Sequence, residues 1–181
     1  MKVFVLVLIF ITASIRIFFW IKSIKNEKRI KQLGGVEYTK ELSNLLIFFH
    51  FIFYIFAYYE ALNEYYEFDI FVALGIVIYI FAIAVLFIIT KNLGVYWTVR
   101  LFKVPQQPIS THWLYRKFRH PNYFLNIIPE FIGLSLMFKA EKTFAILFPI
   151  YAVLLGIRIL LEEHLFKDEY KKYYGRKDGE K

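Results

Sequence analysis

Residues 70–90 run for 21 positions without a single charge and are rich in Ile, Phe, Val and Ala. A helix needs about 20 apolar residues to cross the hydrocarbon core of a bilayer, so this run is long enough to span and demands a lipid environment. Similar stretches lie at 3–21, 45–62, 123–138 and 143–161, with Arg16, His50, Glu130 and Arg158 as their conspicuous polar residues. Hydrophobic residues make up 59% of the 181-residue chain, against about 45–50% apolar for soluble domains. Charged residues still reach 21%, so they must be segregated into patches. The chain contains no cysteine, which excludes a disulfide scaffold and a thiolate metal site.

The basic residues set an orientation. Residues 22–43 hold six Lys or Arg, residues 91–119 hold six more, and six follow Leu161, whereas 60–69 carry only acids: Glu60, Glu64, Glu67 and Asp69. Lysine and arginine collect on the cytoplasmic side of a membrane. Five spans with the N-terminus outside put every basic segment on that side. The expected fold is therefore an all-α integral membrane protein, one domain over 1–181. It has about five transmembrane helices, a C-terminal helical hairpin turning at Ala140-Glu141-Lys142, a cytoplasmic loop 91–122 and a cytoplasmic tail 162–181. Residues 95–104 are amphipathic and suit either the interface or an extension of a span. The N-terminal run is long for a leader peptide, and Ala13-Ser14-Ile15-Arg16 is a poor cleavage site. The net charge of +8 is accounted for by this topology and by anionic head groups rather than nucleic acid.

Charges within spans are costly and mark candidate sites. Arg16 lies near the cytoplasmic end of its span and has the length to snorkel. Glu130 lies too deep for that, so it must pair, take up a proton or face a cavity. Arg158 and Glu162 are spaced for an i, i+4 ion pair at a helix end. His50 by itself reads as a buried hydrogen-bonding residue. The four histidines are scattered without ligand spacing, so no metal is expected. The dispersed glycines exclude a dinucleotide-binding fingerprint, and no nucleophile elbow is present.

The densest chemistry lies between Trp113 and Tyr123, where cations and aromatics precede a proline and then a span. An interfacial belt explains the Trp and Tyr. It does not explain Arg119-His120-Pro121-Asn122-Tyr123 followed, one hairpin later, by Arg158 and Glu162-Glu163. This two-part pattern resembles the C-terminal signature of the isoprenylcysteine carboxyl methyltransferase family, most strongly over 91–174. The string from His120 to Glu130 is similar to the bacterial branch that O-methylates alkylpyrones.

The resemblance implies S-adenosylmethionine as methyl donor, bound at the cytoplasmic side of a bacterial cell membrane. It assigns donor binding to Tyr115, His120, Pro121, Asn122, Tyr123 and Glu162, and less directly to residues 107–110. It assigns Arg158 to the acceptor, as the catalytic residue. Asn126 and Glu130, one turn apart, join Arg158 as expected acceptor-binding residues. The chain departs from the family at Trp113-Leu114, where glycine is common, and lacks a Phe-Gly spacer, so that Tyr170 comes early. The implied partner is a lipidic small molecule whose oxygen is already ionised: the enol of a long-chain alkylpyrone or, alternatively, the carboxylate of an isoprenylcysteine. Two readings of other kinds stand beside this one. One is a nicotinamide-dependent reductase, since some sterol reductases share the C-terminal region. The other is a non-enzymatic membrane protein whose charged motif anchors head groups.

Overall fold

The computed structural model describes residues 2–105, 110 and 112–167. The expectations placed on residues 107–109 and on Tyr170 lie outside these described residues. Helix α1 (Lys2–Gln32), α2 (Lys40–Asn63), α3 (Ile70–Leu93) and α6 (Glu141–Leu165) are the long elements. Between α3 and α6 come the short α4 (Trp113–Lys117), a π-helical turn (Asn122–Ile127) and α5 (Ile128–Phe138). Four segments are long and apolar enough to cross a membrane: Lys2–Gln32, Lys40–Asn63, Ile70–Tyr96 and Glu141–Leu165. The fifth expected span is the shorter apolar segment Asn122–Phe138. At 1.5 Å per residue it reaches ~25 Å, a little under the ~30 Å hydrocarbon thickness.

Two features differ from the sequence expectation. Helix α1 does not stop at residue 21 but carries its basic segment out to Gln32. The fold is also not purely helical: β1 (Val36–Tyr38) pairs antiparallel with β2 (Leu101–Lys103), with Glu37 opposite Phe102. Gly34, at φ 78°, turns the chain between α1 and β1, a conformation that glycine adopts without penalty. Strands of three residues are too short to imprint an alternating pattern, which is why they escape a sequence reading.

Close backbone packing joins α3 to α5. A Cβ on Gly75 would overlap the Met137 amide nitrogen and lie 2.8 Å from the Gly133 carbonyl. One on Gly133 would lie 2.7 Å from the Tyr79 nitrogen. Small residues are what membrane helices use for such approach. Gly133 therefore serves the close packing of α5 on α3. Helix α6 lies instead along α2, and the rings of Phe53 and Phe131 stack 4.2 Å apart between α2 and α5.

The two ends of the bundle differ in charge. At one end, the Glu60 carboxylate accepts from the Thr143 backbone N–H at 2.7 Å and from the Lys142 N–H at 3.3 Å, capping α6. Lys139 pairs with Asp69 there at 2.8 Å. The basic segments gather at the other end. Asn26 donates to the Trp97 carbonyl at 2.7 Å, Arg100 pairs with Glu37 at 2.7 Å, and Lys103 donates to the Leu165 carbonyl at 3.1 Å. This is the segregation that the distribution of Lys and Arg predicts.

Candidate active site

The site is built where α5 begins and α6 ends. Pro121 supplies a ready first helical residue with φ −63°. Pro129, having no N–H, cannot bond to the carbonyl four residues back. The Ile128 amide reaches five residues back to the Tyr123 carbonyl, giving the π-helical turn. Such turns re-aim side chains and recur at functional sites. Here the turn carries Asn122, Tyr123 and Asn126, and the Asn126 side chain donates to Asn122 Oδ1 at 3.1 Å.

The histidine–proline corner and the end of α6 meet, as the resemblance requires. Tyr123 Oη donates to Glu162 Oε2 at 2.5 Å. His120 Nδ1 lies 3.6 Å from Glu162 Oε1, and its Nε2 lies 3.3 Å from Glu163 Oε1. The His120 and Tyr123 rings stack at 5.6 Å. Burial disfavours charge on His120, but hydrogen bonds and charge from Glu162 and Glu163 outweigh it and raise its pKa above the ordinary value. Burial, with a smaller contribution from the Glu162 charge, pushes the Tyr115 phenol up.

Arg158 does not form the helix-end pair that its spacing to Glu162 suggests. Arg158 is 97% buried, and its guanidinium turns to α2, where Nη1 donates to Ser43 Oγ at 2.7 Å and approaches Thr39 Oγ1 at 3.5 Å. Its Nε has no partner. Thr39 precedes α2 with φ 50°, an uncommon conformation for a β-branched residue. Nothing in the sequence marks Ser43 or Thr39 as neighbours of a residue more than a hundred positions away.

Two cavities meet at this arginine. A cleft on the basic side is lined by Tyr96, Tyr115, His120, Pro121, Asn122, Tyr123 and Glu162, among others. It encloses about 690 Å³ including its open mouth, within the usual range of about 300–1,000 Å³ for small-molecule sites. A second cavity runs into the apolar bundle between α1, α2, the π-helical turn and α6, past Trp20, Leu46, His50, Phe51, Asn126, Tyr151 and Leu155. Trp97, Thr98, Asn122, Tyr123 and Arg158 line both. Tyr115, His120, Pro121, Asn122, Tyr123 and Glu162, the residues named for the donor, thus all lie on the cleft, whereas Ser110 is not part of its lining. Of the expected acceptor residues, Arg158 and Asn126 line the inner cavity and Glu130 does not. Glu130 is fully buried behind that cavity and bound by Arg16 and by the Tyr54 hydroxyl. Arg16 therefore does not snorkel to the surface, because the buried carboxylate draws it inward.

The matched signature is more than local. The isoprenylcysteine carboxyl methyltransferase (ICMT) family matches residues 73–168. The chain belongs to this family. ICMT members are membrane methyltransferases that use S-adenosylmethionine. The chain is 43% identical over 148 residues to an uncharacterized protein of Haemophilus influenzae, covering 80% of this chain and 86% of that one. It is 26% identical over 151 residues to the uncharacterized protein YpbQ of Bacillus subtilis, covering 80% and 85% respectively. No solved structure gives a significant match.

The cleft suits the family's donor on its own chemistry. Glu162 offers a carboxylate to amino or ribose hydroxyl groups. Asn122 offers an amide. Tyr96, Tyr115 and Tyr123 offer aromatic faces, each worth about 0.5–2 kcal/mol against a cation.

Proposed function

We propose that this protein transfers a methyl group from S-adenosylmethionine to an ionised oxygen at the head of a long-chain lipidic acceptor. The observation that carries this is the meeting of the two cavities at Arg158. One opens to the basic end, where a water-soluble donor enters, and the other extends among lipid-facing helices. With the basic end toward the cytoplasm, the donor side faces the cell interior. Tyr115, His120, Pro121, Asn122, Tyr123 and Glu162 are the donor-binding residues in this reading.

When bound, S-adenosylmethionine supplies an electrophilic methyl group on a positively charged sulfonium. Arg158 holds the acceptor's anionic oxygen at the junction, and its planar fork sets the direction of approach. Ser43 holds Arg158 in place. Such positioning supplies up to ~7–11 kcal/mol of the barrier in favourable cases. An oxygen already ionised near neutral pH needs no general base. Glu162 and His120 fix each other, so the donor's carboxylate partner is oriented before binding. Trp20 and Phe51, in edge contact at 5.5 Å between α1 and α2, form the lipid-side wall through which a chain would enter.

Two acceptors satisfy these requirements. The similarity of residues 120–130 to the alkylpyrone branch favours the acidic enol of a long-chain 4-hydroxy-2-pyrone. The family's name favours the carboxylate of an isoprenylcysteine. The test incubates membranes containing the protein with methyl-labelled donor and each acceptor, alongside titration of purified protein with S-adenosylmethionine and NADPH. Label on one acceptor, dependent on Arg158, is the expected result. Binding of NADPH without S-adenosylmethionine overturns the reading in favour of a reductase, and binding of neither overturns it in favour of a non-enzymatic role.

A further inference from the structure

Residues 97–100 lie between the short helical turn Gly94–Tyr96 and β2, and belong to neither helix nor strand. Trp97 and Thr98 line both the cleft and the inner cavity, so this irregular segment is a wall common to the two. Buried backbone polar groups need partners, and an irregular segment has no ladder of its own to supply them. Helix α1 supplies them instead. The Asn26 carboxamide, 93% buried, donates to the Gly94 carbonyl at 3.0 Å and to the Trp97 carbonyl at 2.7 Å. Carbonyl oxygens only accept, which fixes the orientation of the amide. One turn earlier, the fully buried Ser23 accepts from the Val99 N–H at 3.1 Å, and its hydroxyl lies 3.1 Å from Thr98 Oγ1. Phe19, a further turn back, meets the Trp97 ring edge-on at 6.0 Å. Spacings of four and three residues put all three on one face of α1.

Resting on the function proposed above, we propose that Asn26 and Ser23 are positioning residues for methyl transfer. They hold the Trp97–Thr98 wall at the junction of the two cavities, so that donor and acceptor meet at a fixed distance and angle. Neither residue lines either cavity, so both act through the wall and not on a ligand. The wall belongs to the stretch that matches the family, residues 73–168, whereas its two supports precede that stretch.

Alignment is where such a support matters most. A misplacement of about 1 Å at the reacting atoms costs about 10²-fold in rate, even when its cause lies away from the chemistry. Asn26→Asp isolates the effect. The new side chain keeps the shape of the old one, but its carboxylate has no N–H to give and faces two carbonyl oxygens. Ser23→Ala is the milder change, because it removes the acceptor for one backbone N–H.

The full chain is labelled with 5-fluorotryptophan and placed in nanodiscs. Its three tryptophans give separate fluorine signals, and that of Trp97 is identified by its loss in Trp97→Phe. Single-turnover transfer to the acceptor that the wild type labels, and calorimetric binding of S-adenosylmethionine, are each scaled to the folded fraction. Asn26→Asp should lower the transfer rate by about 10²-fold while donor affinity stays nearly unchanged. It should also move or broaden the Trp97 signal before any donor is added, and leave the Trp113 signal in place. Ser23→Ala should lower transfer by about tenfold, the worth of one hydrogen bond, and decides the matter if Asn26→Asp fails to fold. A lower melting temperature with transfer and the Trp97 signal unchanged overturns the inference, because the contacts are then only structural. Equal losses of donor affinity and transfer overturn it too, because the wall then serves the donor alone. Wild-type protein that binds no donor, or labels no acceptor, removes the functional reading and this inference with it.

Discussion

The cleft and the inner cavity share a wall but differ in what the N-terminal helices contribute to them. All residues lining the cleft fall between Ile89 and Phe166, inside the stretch that matches the ICMT family. The inner cavity takes Arg16, Phe19, Trp20, Leu46, Ile47, His50 and Phe51 from α1 and α2, before the match begins. The cleft is polar, ordered by carboxylate–imidazole and carboxylate–phenol contacts, and open to water. The cavity is lined mainly by apolar and aromatic side chains. In the proposed function this is a division of labour: the cleft, lined wholly by the family-matching half, takes the donor, and the N-terminal helices add one wall of the space proposed for the acceptor. Arg158 belongs to both, since it extends from the matching half and is held by Ser43 of α2.

Substitutions in the two regions should act on different properties of the protein. The largest effect is expected at Glu130→Gln, which leaves Arg16 buried without its counter-charge. Breaking a buried pair costs about 3–5 kcal/mol. Thermal unfolding in detergent should show that loss, and donor affinity measured below the lowered midpoint should be retained. Arg158→Ala should lower methyl transfer by about 10²–10³-fold, as removal of a preorganised electrostatic donor does. Single-turnover transfer and calorimetric donor binding should diverge in that variant, with binding nearly intact; parallel losses would mean that Arg158 belongs to the donor side alone. Glu162→Gln should weaken S-adenosylmethionine binding by about tenfold to a hundredfold, the worth of a charge-assisted hydrogen bond of about 1.5–3 kcal/mol. Binding of stearate to the inner cavity should not change.

The smallest effect concerns pH. His120 has a pKa raised above its ordinary 6.5. The protonated form is therefore favoured in the folded protein. The stability from its contacts with Glu162 and Glu163 is fully present below about 6.5, the unfolded value. It is lost as pH rises through the raised folded value. Melting temperature should fall over that upper window in the wild type, and the fall should be absent in His120→Gln. A fall of equal size in both would assign it to other groups.

The spans were legible because apolar runs of that length have one stable solution in lipid. The convergence of His120 with Glu162 was legible from a motif, since its two halves are recognisable together. Partnerships set by tertiary packing were not. Arg158 and Glu162 have ideal spacing for a pair, yet Ser43 and Tyr123 take them in different directions. Arg16 was long enough to reach water, but Glu130, 114 positions away, draws it inward. The π-helical turn follows from Pro129 only once the helix is known to run through it. The β1–β2 ribbon lay in segments that read as basic loops.

The capping of α6 by Glu60 has a mechanical consequence. At one extremity α2 grips α6 through Glu60 and Thr143, and at the other through Ser43 and Arg158. These two clasps lie ~25 Å apart along α2, close to the whole thickness of the hydrocarbon layer. The pair works as a fixed ruler, so the height of Arg158 is set from the opposite end of the bundle by helix geometry. A thinner or thicker bilayer must then be met by tilting the whole molecule, and not by sliding the arginine to a new height.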